Sequence, residues 1–297
     1  MASPLLECVP NVSEGRDQRV IAAIADAVRA IPGATLADVH ADPDHHRSVF
    51  TFLGSPPVVE QAALALAAAV LAHVDMRGHH GIHPRLGSLD VLPFVPLRNV
   101  TLEDAAAIAG RVGRAIGATH GVPVYLYGAA ATSPERHAVR NIRRGEYDGL
   151  ALRFADPAWQ PDAGPAVFVP RSGAVMVGAR DVLVAYNIWL DSRNLEAARD
   201  IARAVRESSG GLPAVQALGM PLERRGVVQV SMNLLDYRRT SIPRVYDAVT
   251  LGAARLGIRV ARAELVGLAP RAALDGRAPE TVGLPDLADS QYLETYL

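Results

Sequence analysis

The sequence predicts an α/β fold of two similar halves, each with the element order βαββαβ. Short apolar runs bounded by turn residues alternate with stripes of helical period, and this series occurs twice. A stretch rich in Pro and Gly, Asp162–Gly173, separates the two series. A chain of 297 residues can hold two such domains, which we predict at residues 1–177 and 178–297.

Each element of the first half has a local signal. Leu5–Val9 is mostly apolar and ends at Pro10-Asn11, which favours a strand and then a turn. Apolar residues recur at helical spacing from Val20 to Ile31, where Pro32-Gly33 ends the helix. The remaining predicted elements are strands Thr35–Val39 and Ser48–Leu53, a helix from Ser55 to about Val74, strand Leu89–Val95, a helix from Leu102 to about Ile116, and strand Val122–Tyr127.

The second half repeats this order with little sequence identity. Its predicted elements are strand Val182–Leu190, a helix over Leu195–Val205, strands Val215–Leu218 and Val227–Leu235, a helix opening at Thr240–Pro243, and strand Val260–Leu268. Two units of this kind suit ferredoxin-like subdomains, with a ligand groove or tunnel between their sheets.

The chain contains no lysine, since all 30 of its basic Lys and Arg residues are Arg. This excludes Schiff-base lysines, pyridoxal phosphate enzymes of the usual kind and the lysine of a P-loop. The net charge of −1 gives no broad electrostatic footprint for nucleic acid. Any bound anion must therefore meet Arg, His, helix N-termini or backbone N–H groups.

Cys8 is the single cysteine, so no intrachain disulfide can form and a reducing compartment, the cytoplasm, is expected. The N-terminus lacks the basic region and apolar run of a signal peptide. The longest apolar stretch, Ala62–Ala72, is shorter than a membrane span, so no membrane partner is expected.

All nine histidines lie in the first half, which predicts that any acid–base chemistry of histidine belongs there. They are His40, His45, His46, His73, His79, His80, His83, His120 and His137.

Two histidine-containing loops stand out. Residues 75–87 contain three glycines and a proline, which exclude a stable helix. The segment can be a solvated polar loop, a catalytic loop, or a metal site built from His79, His80 and His83. The other loop, Asp42–Arg47, can bind a cation through its two aspartates or form a charged hairpin turn.

Segments spread over nearly the whole chain are similar, in order, to one known family. They are Glu7–Gly15, Asp42–Thr51, His83–Gly87, Asp90-Val91, Pro93–Pro96, Val122–Gly128, Arg144–Tyr147, Gly164-Pro165, Phe168–Pro170, Gly178–Arg180, Ala185–Ile188 and Asn233–Asp236. Together they resemble the glutamate formimidoyltransferases, also called formiminotransferases.

The resemblance implies transfer of a formimidoyl group from N-formimidoyl-L-glutamate to N5 of tetrahydrofolate, in histidine degradation. It implies tetrahydrofolate as co-substrate, no metal, a homodimer, and two α/β subdomains flanking an electropositive folate tunnel. Vertebrate members are fused to a cyclodeaminase. This chain looks like the stand-alone form, with a separate cyclodeaminase acting downstream.

The resemblance also implies roles for residues. The catalytic histidine of the family falls on His83. Vertebrate members have acidic residues where this chain has Ile82 and His40, and Asp38 or Asp42 could substitute for the second of these. The folate-binding segment of the family falls on Gly164, Pro165, Ala166, Val167, Phe168, Val169, Pro170, Arg171, Ser172 and Gly173.

Both substrates carry carboxylates, which must meet arginines in a chain without lysine. Asn11 and Asn187 occupy equivalent places in the first strand of each half, where they can line a groove or cap turns. Phe168 can stack on the pterin or fill the core. The predicted substrate-binding residues outside the folate segment are Asn11, His40, Arg47, Arg85, Arg180 and Asn187, and Arg171 is a further candidate for a carboxylate.

A mechanism follows as a hypothesis. N5 of the folate attacks the formimidoyl carbon, and His83 takes the N5 proton and passes it to the departing amine of glutamate. Three alternatives stay open. They are another donor such as N-formylglutamate or formimidoylglycine, a folate-binding protein without catalysis, and a metal-dependent hydrolase.

Overall fold

The computed structural model describes residues 2–297 and divides into two compact units, Met1–Arg180 (unit 1) and Asp181–Leu297 (unit 2). Each unit is a mixed α/β structure with its own sheet and its own hydrophobic core, which confirms the predicted fold class. The predicted boundary between residues 177 and 178 falls inside a strand of unit 1, three residues before the division that follows Arg180.

Unit 1 contains the predicted βαββαβ series and a C-terminal extension. Its elements are β1 (Leu5–Cys8), β2 (Asn11–Val12), α1 (Gln18–Arg29), β3 (Thr35–Asp42), β4 (Arg47–Gly54), α2 (Pro56–His73), β5 (Leu89–Arg98), α3 (Leu102–His120), β6 (Val124–Gly128), α4 (Val139–Ile142), α5 (Leu150–Arg153) and β7 (Val175–Ala179). The sequence did not predict α4, α5 or β7.

Strand β1 lies within the predicted first strand, Leu5–Val9, whereas β2 continues the same edge at Asn11–Val12, where a turn was predicted. The interruption falls at Val9-Pro10, because proline has no N–H to donate. Both pieces pair antiparallel with β4 on one side and β5 on the other, and β3 pairs with the outer edge of β4. This order of the first four strands is that of a ferredoxin-like sheet. Strands β7 and β6 extend the sheet in parallel beyond β5.

Helices α1, α2 and α3 cover one face of this sheet and enclose the main core of unit 1. Cys8 lies in that core, where burial raises the pKa of its thiol, so the thiolate is disfavoured. The opposite face around β6 and β7 is covered by residues from α4, α5 and the neighbouring loops.

Helix α2 is longer than the apolar stretch at its centre. By length and composition alone its 18 residues could cross a membrane, although the apolar stretch Ala62–Ala72 within it is shorter than a membrane span. The buried side chains of the helix, including Val59, Leu66 and Val70, pack into the core of unit 1.

Unit 2 repeats the first four-strand arrangement of unit 1. Its elements are β8 (Val184–Leu190), α6 (Leu195–Val205), β9 (Val215–Leu222), β10 (Val227–Leu234), α7 (Ile242–Arg255) and β11 (Val260–Val266). The sheet order is β11-β8-β10-β9, so the first strand of the unit again lies between its third and fourth.

Candidate active site

His83 lies in the loop over residues 74–88, between α2 and β5. Its Nδ1 is 2.8 Å from the carbonyl oxygen of Pro84. A carbonyl can only accept a hydrogen bond, so Nδ1 carries the hydrogen and Nε2 keeps a lone pair. Burial lowers the pKa of His83 well below its ordinary value, and the charges of Arg47 and Arg143 lower it further. The imidazole is therefore neutral at neutral pH and able to accept a proton through Nε2.

A buried aspartate gathers two arginines next to this histidine. Asp90 is fully buried, and its Oδ2 accepts from Arg47 Nη1 at 2.8 Å and from Arg143 Nη2 at 2.6 Å. Burial raises the pKa of Asp90, but the charges of Arg143 and Arg47 outweigh that effect and hold the pKa below its usual range. The three side chains thus carry a net charge of about +1 beside His83.

Asp90 also fixes the loop that contains His83. Its Oδ1 accepts a hydrogen bond of 2.7 Å from the backbone N–H of Leu86, three residues after His83. The position of the histidine is therefore tied to the same carboxylate that holds the arginines.

The turn between β3 and β4 brings the first histidine loop to the second. Oδ1 of Asp42 accepts from the backbone N–H groups of Asp44 and His45, each at 2.8 Å, which is the hydrogen bonding of an Asx turn. The buried His45 places its ring 5.9 Å from the ring of His83. The two histidine loops therefore form one site, and Asp42 is used by the turn itself.

His79 is held by protein groups on both ring nitrogens. Nε2 lies 2.9 Å from the carbonyl oxygen of His46, and Nδ1 accepts from Arg85 Nε at 3.1 Å. Its ring also stacks on that of His46 at 4.3 Å. Among residues 2–297, no three His, Cys, Asp or Glu side chains are grouped as metal ligands. The set His79, His80 and His83 therefore does not converge on a common point.

Arg85, predicted to bind substrate, ties this loop to the chain near α4. Besides His79, its guanidinium contacts Glu146, with Nη1 3.5 Å from Oε2. The backbone N–H of Tyr147 donates to the carbonyl of Arg85 at 2.9 Å. Arg85 therefore orders the active-site loop through contacts within the protein.

The predicted folate segment, residues 164–173, packs directly on the His83 loop. Ser88 N donates to Ser172 O at 2.8 Å, and Met76 N donates to Arg171 O at 2.9 Å. Gly87 and Gly173 face each other in an isolated bridge, where a Cβ on Gly87 would lie 2.3 Å from the carbonyl oxygen of Ala174. Glycine is required there because the two backbones approach so closely.

Two side chains of this segment also have protein partners. Arg171 donates through Nη2 to Ala72 O at 2.7 Å, at the C-terminus of α2, and pairs with Asp75 at 3.4 Å. The ring of Phe168 lies 5.3 Å from that of Tyr147. Phe168 therefore packs at the edge of a small core, as one of the two sequence interpretations expected.

The remaining predicted residues lie along the sheets. Asn11 Oδ1 accepts from Arg47 Nη2 at 2.8 Å and from Nε at 3.1 Å, so it positions that arginine. His40 and Asn11 both lie opposite Val49, in the β3–β4 and β2–β4 ladders. The three residues therefore form one row on the face away from α1 and α2.

Arg180 and Asn187 lie on either side of the division between the units. The charge of Arg180 acts on Glu7, a buried residue of β1 whose pKa is raised by burial to about 7. Asn187, in β8 of unit 2, donates through Nδ2 to Glu264 at 3.0 Å. Its side chain lies on the sheet face away from the core of unit 2, as Asn11 does in unit 1.

Sequence reasoning missed three residues of this site, which are His45, Asp90 and Arg143. Asp90 and Arg143 lie in or next to segments that resemble the family, but no local pattern connects them. Only the fold places their side chains within hydrogen-bonding distance.

Two models of known protein families match most of the chain. The model of the formiminotransferase domain, N-terminal subdomain, matches residues 5–180, and that of the formiminotransferase domain matches residues 185–278. The chain belongs to the formiminotransferase family.

Similar proteins include glutamate formimidoyltransferases and formimidoyltransferase-cyclodeaminases. Glutamate formimidoyltransferase of Streptococcus pyogenes is 38% identical, over 99% of this chain and 98% of that protein. Its counterpart from Thermoplasma acidophilum is 43% identical, over 91% of this chain and 89% of that protein. Formimidoyltransferase-cyclodeaminase of Rattus norvegicus is 44% identical, over 93% of this chain and 52% of that protein.

Proposed function

We propose that this formiminotransferase transfers the formimidoyl group of N-formimidoyl-L-glutamate to N5 of tetrahydrofolate. The products are 5-formimidoyltetrahydrofolate and L-glutamate. The observation that carries the proposal is His83, a neutral imidazole with Nδ1 on the Pro84 carbonyl and Nε2 open, beside a net positive cluster. Similarity to glutamate formimidoyltransferases over almost the whole chain supports the choice of substrates.

The reaction needs one proton to move between two nitrogens. N5 attacks the formimidoyl carbon and forms a tetrahedral adduct, in which N5 carries the proton to be lost. Nε2 of His83 accepts that proton and returns it to the glutamate nitrogen as the carbon–nitrogen bond breaks. A lowered pKa suits the first half of this exchange, because it keeps the ring unprotonated.

The position of residues 164–173 beside the His83 loop supports the proposal that they bind folate. Residues 164–173 are proposed to bind tetrahydrofolate, because their backbone is hydrogen-bonded to the loop that contains His83. In this proposal the arginines near the site and the backbone amides of both segments meet the negative charge of the substrates. A cytoplasmic homodimer, working before a separate cyclodeaminase, completes the proposal.

The test is an assay of the purified protein with tetrahydrofolate and each donor in turn. The donors are N-formimidoyl-L-glutamate, N-formylglutamate and N-formimidoylglycine, and both the free amino acid and the modified folate are measured by mass spectrometry. We expect the highest kcat/KM with N-formimidoyl-L-glutamate. Higher kcat/KM with another donor would reassign the substrate, and no turnover with any donor would refute the proposal.

Metal dependence is tested in the same assay. Turnover should be unchanged after dialysis against a chelator, because His83 supplies the proton transfer by itself. Loss of turnover that returns with added zinc would favour the hydrolase alternative.

A further inference from the structure

The two arginines that bind Asp90 differ in how many of their N–H groups have acceptors within the protein. Arg47 donates through Nη1 to Asp90, and through Nε and Nη2 to the amide oxygen of Asn11. All three of its nitrogens therefore have protein acceptors. Arg47 is also buried, with 8% of its side chain exposed.

Arg143 has one protein acceptor. Its Nη2 donates to Asp90, whereas its Nε is buried and makes no hydrogen bond within residues 2–297. A buried N–H without an acceptor is costly, by about 1–3 kcal/mol for an ordinary polar group and more for a charged one. A guanidinium with unpaired donors beside the proposed base is suited to bind an anion.

The backbone around Arg143 fixes this side chain. Arg143 ends the short helix α4, and its N–H donates to Val139 O at 2.9 Å. The chain then turns at Gly145 and Glu146, with φ of 84° and 53°. Glu146 and Tyr147 bind the loop of His83 through Arg85. The guanidinium is thus placed by the same contacts that place the histidine.

We propose that Arg143 binds the α-carboxylate of the amino acid that carries the formimidoyl group. The inference rests on the proposed function and adds the residue that recognises the donor, through the carboxylate next to its formimidoyl nitrogen. In this proposal the unpaired Nε–H and the neighbouring N–H groups donate to the carboxylate oxygens, and Asp90 holds the guanidinium in place.

The choice among carboxylates follows from the chemistry of the donor. The α-carboxylate is one carbon from the nitrogen that His83 must protonate, so a cation close to His83 meets it first. The γ-carboxylate is two carbons further from that nitrogen. The carboxylates of folate lie beyond the aminobenzoyl group, further still from N5. A site close to the reacting nitrogen therefore selects the α-carboxylate.

Three donors separate these possibilities. N-formimidoyl-L-glutamate carries both carboxylates, N-formimidoylglycine keeps only the α-carboxylate, and N-formimidoyl-4-aminobutyrate keeps only the one that corresponds to γ. Each is assayed with tetrahydrofolate and four proteins, namely the wild type, Arg143→Gln, Arg143→Lys and a control. The control is Arg140→Gln, an exposed position on the same helix.

We expect Arg143→Gln to lower kcat/KM by about 10- to 100-fold with the first two donors, mainly through KM, the range for a hydrogen bond to a charged group. With N-formimidoyl-4-aminobutyrate the variant should lose less than about threefold relative to wild type. Arg143→Lys should recover part of the loss, and Arg140→Gln should match the wild type.

Several outcomes would overturn the inference. Equal losses with all three donors would make Arg143 a structural residue. A loss with the glutamate and 4-aminobutyrate donors that spares N-formimidoylglycine would assign it to the γ-carboxylate. No loss with any donor would exclude it from binding. A wild type inactive with every donor would refute the proposed function as well, whereas the first three outcomes leave that function intact.

A wild-type measurement covers the case in which Arg143→Gln does not fold. Product inhibition of the wild type is measured with L-glutamate, glycine and 4-aminobutyrate. We expect L-glutamate and glycine to compete with the donor, and 4-aminobutyrate to compete at least tenfold more weakly. Equal or stronger inhibition by 4-aminobutyrate would contradict the inference.

Discussion

The two units share a strand order but differ in the connections between their strands. In unit 1 the segment between α2 and β5 is 15 residues long, at 74–88, and contains His83. The corresponding segment of unit 2, between α7 and β11, is four residues long, at 256–259. Each sheet has an asparagine in its first-strand region on the face away from the core, Asn11 in β2 and Asn187 in β8.

The difference shows which parts of the fold hold the chemistry. The sheet supplies a rigid frame in both units, while the site of unit 1 depends on one long loop, one Asx turn and the extension that contains Arg143. Unit 2 has the frame without these additions, and its part of the sequence contains no histidine. Loops on a fixed scaffold can acquire function without altering the core.

The largest expected effect is the loss of the base in unit 1. His83→Asn should lower kcat by about 10²- to 10⁴-fold, the usual contribution of a general acid–base, because the variant lacks the proton acceptor. Affinity for tetrahydrofolate, measured by calorimetry, should change little. His80→Asn, at an exposed position of the same loop, serves as control. Near-normal turnover of His83→Asn would contradict the assignment of His83 as the general acid–base.

The second effect is on the stability of the first strands. Glu7 of β1 is buried with a pKa of about 7, whereas β8 contains no acidic residue. A raised folded-state pKa means that stability present below about pH 4.5 is lost as pH rises to about 7, by roughly 3 kcal/mol. The Glu7→Gln variant has no carboxyl to ionise at this position, so its free energy of unfolding should not fall in this way.

Urea unfolding at pH 4.5 and pH 8 measures the difference. Glu7→Gln should gain about 3 kcal/mol relative to wild type between the two pH values. The control Glu223→Gln, in the exposed turn between β9 and β10 of unit 2, should show no such gain. A pH-independent effect of Glu7→Gln would mean that the carboxyl is ionised in the folded protein.

The two asparagines offer a direct comparison of the units. Asn11→Ala removes two hydrogen bonds from Arg47 and should lower kcat/KM about tenfold. Asn187→Ala removes a bond to Glu264 in unit 2 and should lower it less than about threefold. If Asn187→Ala has the larger effect, unit 2 contributes more to substrate binding than its loops suggest.

The smallest effect is on the pH dependence of the reaction. Because the pKa of His83 is lowered, the acid limb of kcat/KM should lie below the ordinary histidine value near 6.5. Activity falls as pH drops through that limb, since a protonated ring cannot accept the N5 proton. Arg143→Gln removes one of the charges that lower this pKa and should move the limb upward. An acid limb of kcat/KM centred at or above about pH 6.5 in the wild type would contradict a lowered pKa for His83 as the base.

Sequence patterns predicted the frame well because its signals are local. Ser55 with Pro56 begins α2, and the capping box of Thr101 and Asp104 begins α3. Most elements differ from their predicted bounds by a few residues at the ends. The 75–87 segment was correctly predicted as a loop, since its glycines and proline prevent a long helix, and it contains one short 3₁₀ turn.

The parts that sequence could not predict depend on distant pairing. Strand β7 is a five-residue run next to a Pro- and Gly-rich segment, and it is a strand because β5 and β6 lie on either side of it. Arg143 lies in the basic stretch that follows the short helix α4, and only the contact with Asp90 makes it part of the site. Such contacts join residues far apart in the chain, which local periodicity does not encode.

The bridge between Gly87 and Gly173 has a mechanical consequence. It joins the loop of His83 to residues 164–173 edge to edge, with further backbone bonds at Ser88–Ser172 and Met76–Arg171. Neither segment can swing outward without breaking these bonds or taking the other with it. If residues 164–173 bind folate as proposed, an outward movement of that segment would also displace the His83 loop, so release of folate and loss of the base would occur together.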